Sequence, residues 1–179
     1  GGGMYNNQSS PTLTDCTFTD NSVVSKGGGM NNRNSSSPTL TNCTFTSNSA
    51  VYGGGMVNES SSPALTNCTF TSNSAVSSGG GMFNYYDTNP VLTDCTFTSN
   101  TAEYGGGMYN QLSSPTMINC TFTSNSAVYS GGGMFNNDSS PTVTSCTFED
   151  NSANDGGGMY NFANNPILND CTFTSNSAD

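Results

Sequence analysis

The block Pro-Thr-Leu-Thr-Asp-Cys-Thr-Phe-Thr-Asp-Asn at positions 11–21 is written out seven times along this chain, in close variants that each keep one cysteine: Cys16, Cys43, Cys68, Cys95, Cys120, Cys146 and Cys171. Between the copies stands a second fixed block, Gly-Gly-Gly-Met, with Met4, Met30, Met56, Met82, Met108, Met134 and Met159 spaced by 26 residues five times and by 25 once. A period held that tightly defines a repeat architecture. One unit is too small to bury its own apolar face and must stack on its neighbours.

Within a unit, Leu13 and Phe18 each stand between threonines, the period-two pattern of a strand with one buried face. Thr14-Asp15-Cys16 breaks the alternation by one residue. This places a bend at Asp15, Asn42, Asn67, Asp94, Asn119, Ser145 and Asp170, most of them Asp or Asn, residue types that tolerate such backbone. A third, short strand is centred on each Met, and the glycines before it suit a corner where any Cβ would cost space. All 21 glycines of the chain fall in these triplets. Helix is a poor competitor in a sequence so rich in Ser, Thr, Gly and Pro. Identical columns at one period call for a parallel β-solenoid, each coil lying on the last at about 4.8 Å. The expectation is an all-β, right-handed parallel β-helix in a single domain over 1–179, with coils starting near 1, 27, 53, 79, 105, 131 and 156. Seven coils would give a rod of roughly 34 Å. An extra residue between Met30 and Pro38, and again between Met82 and Pro90, falls in a loop.

Five inward columns follow. Leu13, Leu40, Leu65, Leu92, Met117, Val143 and Leu168 form one; Phe18, Phe45, Phe70, Phe97, Phe122, Phe148 and Phe173 form another; the cysteines, the methionines and a small-residue column from Val23 and Ala50 to Ala178 complete the core. Stacked phenylalanines should contribute most, at ~1.5–3 kcal/mol for each fully buried ring. Two asparagine columns have no exceptions: Asn21, Asn48, Asn73, Asn100, Asn125, Asn151, Asn176, and Asn6, Asn32, Asn58, Asn84, Asn110, Asn136, Asn161. Stacked amides can form ladders, so both columns are read as structural.

Leu, Ile, Val and Phe make up only 26 of 179 residues, a composition that leans toward disorder. The strict columns and the 14 charged residues argue the other way. The net charge of −10, with only Lys26 and Arg33 positive, offers no basic patch to nucleic acid or to an anionic membrane, and excludes both as partners. No apolar run approaches a membrane span. The chain opens and closes inside the repeat, so head-to-tail self-association, or continuation into further repeats, is expected.

The paired motifs Gly-Gly-Gly-Met and Phe-Thr-Ser-Asn, the latter at Phe45 to Asn48, resemble those of the polymorphic outer-membrane protein repeats, right-handed parallel β-helices of bacterial surface proteins. The likeness spans all seven repeats. It implies the right hand, an extracellular or cell-surface location, and a secreted passenger or fibre, often adhesive, with carbohydrate or a host or cell surface as candidate partner.

Chemistry on this scaffold is sparse. Metal ligation wants clustered Cys or His, and the chain has no His, so no metal and no cofactor is expected. Adjacent cysteines lie one coil apart, within reach of a disulfide, but parallel Cβ vectors aim poorly; buried free thiols are the expectation. Asp15, Asp94 and Asp170 sit on distant coils, and Glu149, Asp150 and Asp155 have no basic partner. None of these carboxylates has a setting for acid–base work, and no enzyme activity is expected. Two outward arrays are candidate contact surfaces. One is the threonine pair flanking each phenylalanine: Thr17 and Thr19, Thr44 and Thr46, Thr69 and Thr71, Thr96 and Thr98, Thr121 and Thr123. A flat Thr-x-Thr array resembles the ice-binding faces of β-solenoid antifreeze proteins, which makes ice binding the alternative function. The other array follows the methionines: Tyr5, Phe83, Tyr109, Phe135 and Tyr160, interrupted by Asn31 and Val57, read as exposed rings that could stack on sugars or on a neighbouring chain. A polysaccharide-binding or polysaccharide-degrading β-helix is the second alternative. A non-enzymatic structural rod or adhesive segment is the primary expectation.

Overall fold

The computed structural model describes all residues, 1–179, and contains strands and turns only. Every coil after the first carries four short strands. In the third these are Met56–Glu59, Ala64–Thr66, Thr69–Thr71 and Ser74–Ser78. The same four recur up the chain and pair only with their equivalents, always in parallel, giving three seven-stranded sheets and one six-stranded sheet. We call them the Met, Leu, Phe and Ala faces. Register is residue for residue, as in Met56 against Met82 and Phe70 against Phe97. The Ala face, through Ser49, Ala50 and Val51, was not among the strands expected from sequence. Its Ser-Ala-Val-Tyr run is too short and mixed to show alternation, and its ladder is irregular between Ala75 and Ser78.

Each corner between faces needs one residue in the left-handed region. In the third coil these are Ser60 (φ 50°), Asn67 (φ 52°), Ser72 (φ 54°) and Gly79 (φ 69°). The bend expected at Asp15 and its equivalents is therefore real, and three further corners accompany it. A non-glycine residue in this region costs about 1 kcal/mol or more, which the stacked coils must offset. Glycine stands at the one corner where backbone passes against backbone: a Cβ on Gly79 would lie against the Met82 carbonyl, 2.8 Å from its carbon. The third glycine of each triplet has a different task. A Cβ on Gly81 would stand 2.6 Å from the Gly107 carbonyl oxygen and 2.8 Å from the Phe97 ring, so its bareness makes the seat for the phenylalanine. The inserted residues of the second and fourth repeats are absorbed where the Met face ends. Asn34 with Ser35, and Tyr86 with Asp87, form corners with two left-handed residues instead of one.

The core is a single cluster running the length of the molecule, built from the Met, Leu, Cys and Phe columns. Successive Phe rings lie 4.7–4.8 Å apart with interplanar angles of 3–4° from Phe18 through Phe173. Adjacent strands normally rotate by about 20–25°, so the Phe face is nearly untwisted. The asparagines form two amide ladders. Inside the Met face, Asn32 Nδ2 donates to Asn58 Oδ1 at 2.8 Å and Asn58 to Asn84 at 2.9 Å. At the corner after the Phe face, Asn48 donates from both backbone N and Nδ2 to Asn73 Oδ1, at 3.0 and 2.9 Å. All seven cysteines are free. Cys43 donates to the Thr41 carbonyl at 3.4 Å, and burial pushes its thiol pKa up.

Candidate functional site

The threonine pairs lie on the outer side of the Phe face, exposed or half-buried, and in one two-column grid from Thr17 and Thr19 to Thr172 and Thr174, broken by Glu149. Rungs repeat at 4.7–4.8 Å, as the rings beneath them do, and Thr44 Oγ1 donates to Thr17 Oγ1 at 3.2 Å. The acidic candidates are dispersed. Asp15, Asp94 and Asp170 occupy exposed corners on the first, fourth and seventh coils, and Glu149, Asp150 and Asp155 are exposed as well.

The aromatic column after the methionines requires a correction. It does point away from the core, yet Val57, Phe83, Tyr109 and Phe135 are 0–9% exposed and form a second apolar cluster outside the Met face. Only Tyr5 is well exposed, at 52%, with Tyr160 half-buried. The cause is the corner before each glycine triplet, which folds the end of the Ala face over the outside of the Met face. Tyr52 stacks on Phe83 at 5.6 Å, and Tyr104 meets Phe135 edge-on at 5.7 Å. Alternation tells which side of a strand a residue occupies, and nothing about what returns to cover that side.

The result is a groove parallel to the helix axis. Its floor is Phe83, Tyr109 and Phe135, with ring centroids 5.3 and 4.9 Å apart. One wall comes from Lys26, Tyr52, Tyr104 and Ser130 at the end of the Ala-face segment; the other comes from the last residues of the Met-face strands, Tyr85, Gln111, Asn137 and Phe162. Two pockets open along it. One of about 280 Å³ is lined by Lys26, Tyr52, Phe83, Tyr85 and Gln111, and one of about 290 Å³ by Tyr104, Ser130, Phe135, Asn137, Tyr160 and Phe162. The wall residues Tyr52, Tyr85, Gln111 and Phe162 carried no signal in the sequence, since they fall in variable positions.

Both cations of the chain gather at one end of this groove. Lys26 Nζ lies 2.8 Å from Glu59 Oε2 and 5.6 Å from the centre of the Tyr85 ring, and Arg33 Nη2 lies 2.9 Å from Glu59 Oε1. Burial pushes the Glu59 carboxyl up, but the hydrogen bonds and charges of Lys26 and Arg33 outweigh it and hold the group below its usual range. The same pairing raises Arg33. At the floor's start Asn31 is buried with Oδ1 unpartnered, while its Nδ2 donates to the Lys26 carbonyl at 3.5 Å. Deeper in the groove burial raises the Tyr109 hydroxyl pKa, against a 3.4 Å hydrogen bond from Asn137.

In-register parallel sheets wound into seven coils define a β-solenoid, and comparison with known families agrees. The right-handed β-helix region family matches residues 1–101 and 52–179, and the chain belongs to it. No curated protein matches the chain.

Proposed function

We propose that the chain is a non-enzymatic structural rod or adhesive segment of an extracellular cell-surface or filament protein. The observation that carries this reading is the continuity of the ladders. The same Phe, Met, Cys and Asn columns run from the first coil to the last, so the molecule is built for extent and stiffness. The resemblance to polymorphic outer-membrane protein repeats supports the surface location, and the net charge of −10 suits a solvated exterior. Columns of this kind accept a further coil, from the same chain or a second copy. Antibodies raised against the chain and applied to intact source cells test the location: labelling before lysis is expected, and labelling only after lysis contradicts the proposal. Electron microscopy of the purified chain tests stacking; filaments are expected, and monodisperse short rods would remove self-association.

Ice binding is the second reading, favoured by one observation: the threonine grid lies over the Phe column, whose successive rings are within 3–4° of parallel. Thermal hysteresis of a concentrated solution decides it, and no hysteresis ends the idea.

A further inference from the structure

The groove outside the Met face has a chemistry that a plain rod does not use. We propose that it binds an extended glycan of neutral hexoses laid along the helix axis, with one sugar ring in the pocket over Phe83 and another, two coils on, in the pocket over Phe135. This inference rests on the adhesive half of the reading above and gives it a ligand class.

A hexose presents an apolar C–H face and a rim of hydroxyls, so its site needs an aromatic platform with donors and acceptors beside it. Each pocket has both: Tyr52 and Tyr85 with the Lys26 ammonium and Gln111 amide, then Tyr104 and Phe162 with the Asn137 amide and Ser130 hydroxyl. The pockets are of nearly equal volume, and their floor rings, Phe83 and Phe135, belong to strands two rungs apart, about 10 Å along the axis. That is the length of an extended disaccharide, so a polymer of sugars can meet a polymer of coils in register. Charge selects the kind of glycan. A net charge of −10 repels uronates and sulfated sugars, and the Lys26 ammonium is already matched by Glu59 at 2.8 Å. A second protein surface is a poorer occupant, since a dry interface would strip water from Lys26, Glu59 and Gln111 without replacing their hydrogen bonds.

The chain has eight tyrosines and no tryptophan, so tyrosine fluorescence reads the groove directly. The isolated chain is titrated with cellohexaose and mannohexaose. A saturable change with at least one is expected, weakened about tenfold or more in Tyr85→Ala and in Tyr52→Ala, and unchanged in Tyr5→Ala, which lies outside both pockets. Circular dichroism melts confirm that the variants fold. No saturable response up to about 10 mM, tighter binding of oligogalacturonate, equal affinity in all variants, or a concentration-dependent dimer lost in Tyr85→Ala would each overturn the proposal. Its failure leaves the surface rod standing, whereas a chain inaccessible on intact cells removes the surface reading and leaves measured glycan binding intact.

Discussion

Asn73 Nδ2 donates backward to the Phe45 carbonyl at 2.9 Å and forward to Asn100 Oδ1 at 3.0 Å, so one side chain ties three successive coils together. The ladder explains why the asparagine column admits no substitute. Aspartate would bring like charges one rung apart, and serine would not reach both partners. Asn73→Ala takes one donor from the Phe45 carbonyl and the side-chain acceptor from the Asn48 backbone and side-chain amides. A loss of about 2–4 kcal/mol is expected, read as a lower denaturation midpoint. Asn67→Ala, at an exposed corner where Nδ2 bonds only Asn42 Oδ1, should cost less, about 1 kcal/mol, from that bond together with alanine's poorer fit to φ 52°.

Gly81→Ala places a methyl group against the Gly107 carbonyl and the Phe97 ring. Neither can withdraw, since one is ladder backbone and the other is stacked on both sides. A cost of about 1–3 kcal/mol is expected from overpacking, checked by chemical denaturation. A wild-type midpoint would show that the coils can part to make room.

Thiol reactivity follows the stack. Cys16 and Cys171 on the end coils are half-buried, and the five between them are buried. Access, and not thiolate fraction, sets this pattern: burial raises the Cys43 pKa, whereas hydrogen bonds with the neighbouring thiols of Cys95 and Cys146 lower those of Cys68 and Cys120. Mass spectrometry after brief native alkylation of unstacked chains should show two labels, fewer where ends are stacked, rising to seven on unfolding without reductant. A mass lower by the two hydrogen atoms lost in forming a disulfide would contradict the free-thiol column.

Glu59 makes the ion-pair contribution sensitive to acid. Its carboxyl is held below the usual value of 4.5 by Lys26 and Arg33, so the folded state binds the proton less tightly than the unfolded chain. The stabilisation is fully present above the unfolded value and is lost as pH falls through the lower folded one. These groups are partly exposed, so the effect is about 0.2–1 kcal/mol. The melting-temperature gap between wild type and Glu59→Gln should be steady from about pH 7 to about pH 5 and close toward about pH 3.

The columns were legible because a solenoid stacks each residue on its own equivalent. A repeat in sequence, as with Phe18, Phe45 and Phe70, is then a contact in space. The bend at Asp15 was legible because it interrupts a period-two pattern. The Ala face was not, since Ser49-Ala50-Val51-Tyr52 gives no alternation to read. The burial of Phe83, Tyr109 and Phe135 was hidden for another reason: it depends on a corner from a different part of the coil folding across the outside of the sheet. The groove followed from that corner, so its walls at Tyr52 and Tyr85 were hidden too.

The central claim is that coils stack in register and in parallel, one rung per repeat. Spin labels carried by non-canonical residues, which leave the seven thiols untouched, can be placed at Thr17 with Thr96 and at Thr17 with Thr172, all on the outer side of the Phe face. Pulsed dipolar spectroscopy should give distances that grow in proportion to coil number, near 14 Å across three coils and near 29 Å across six, at about 4.8 Å per rung. Distances that do not scale with the number of coils between the labels would contradict the account.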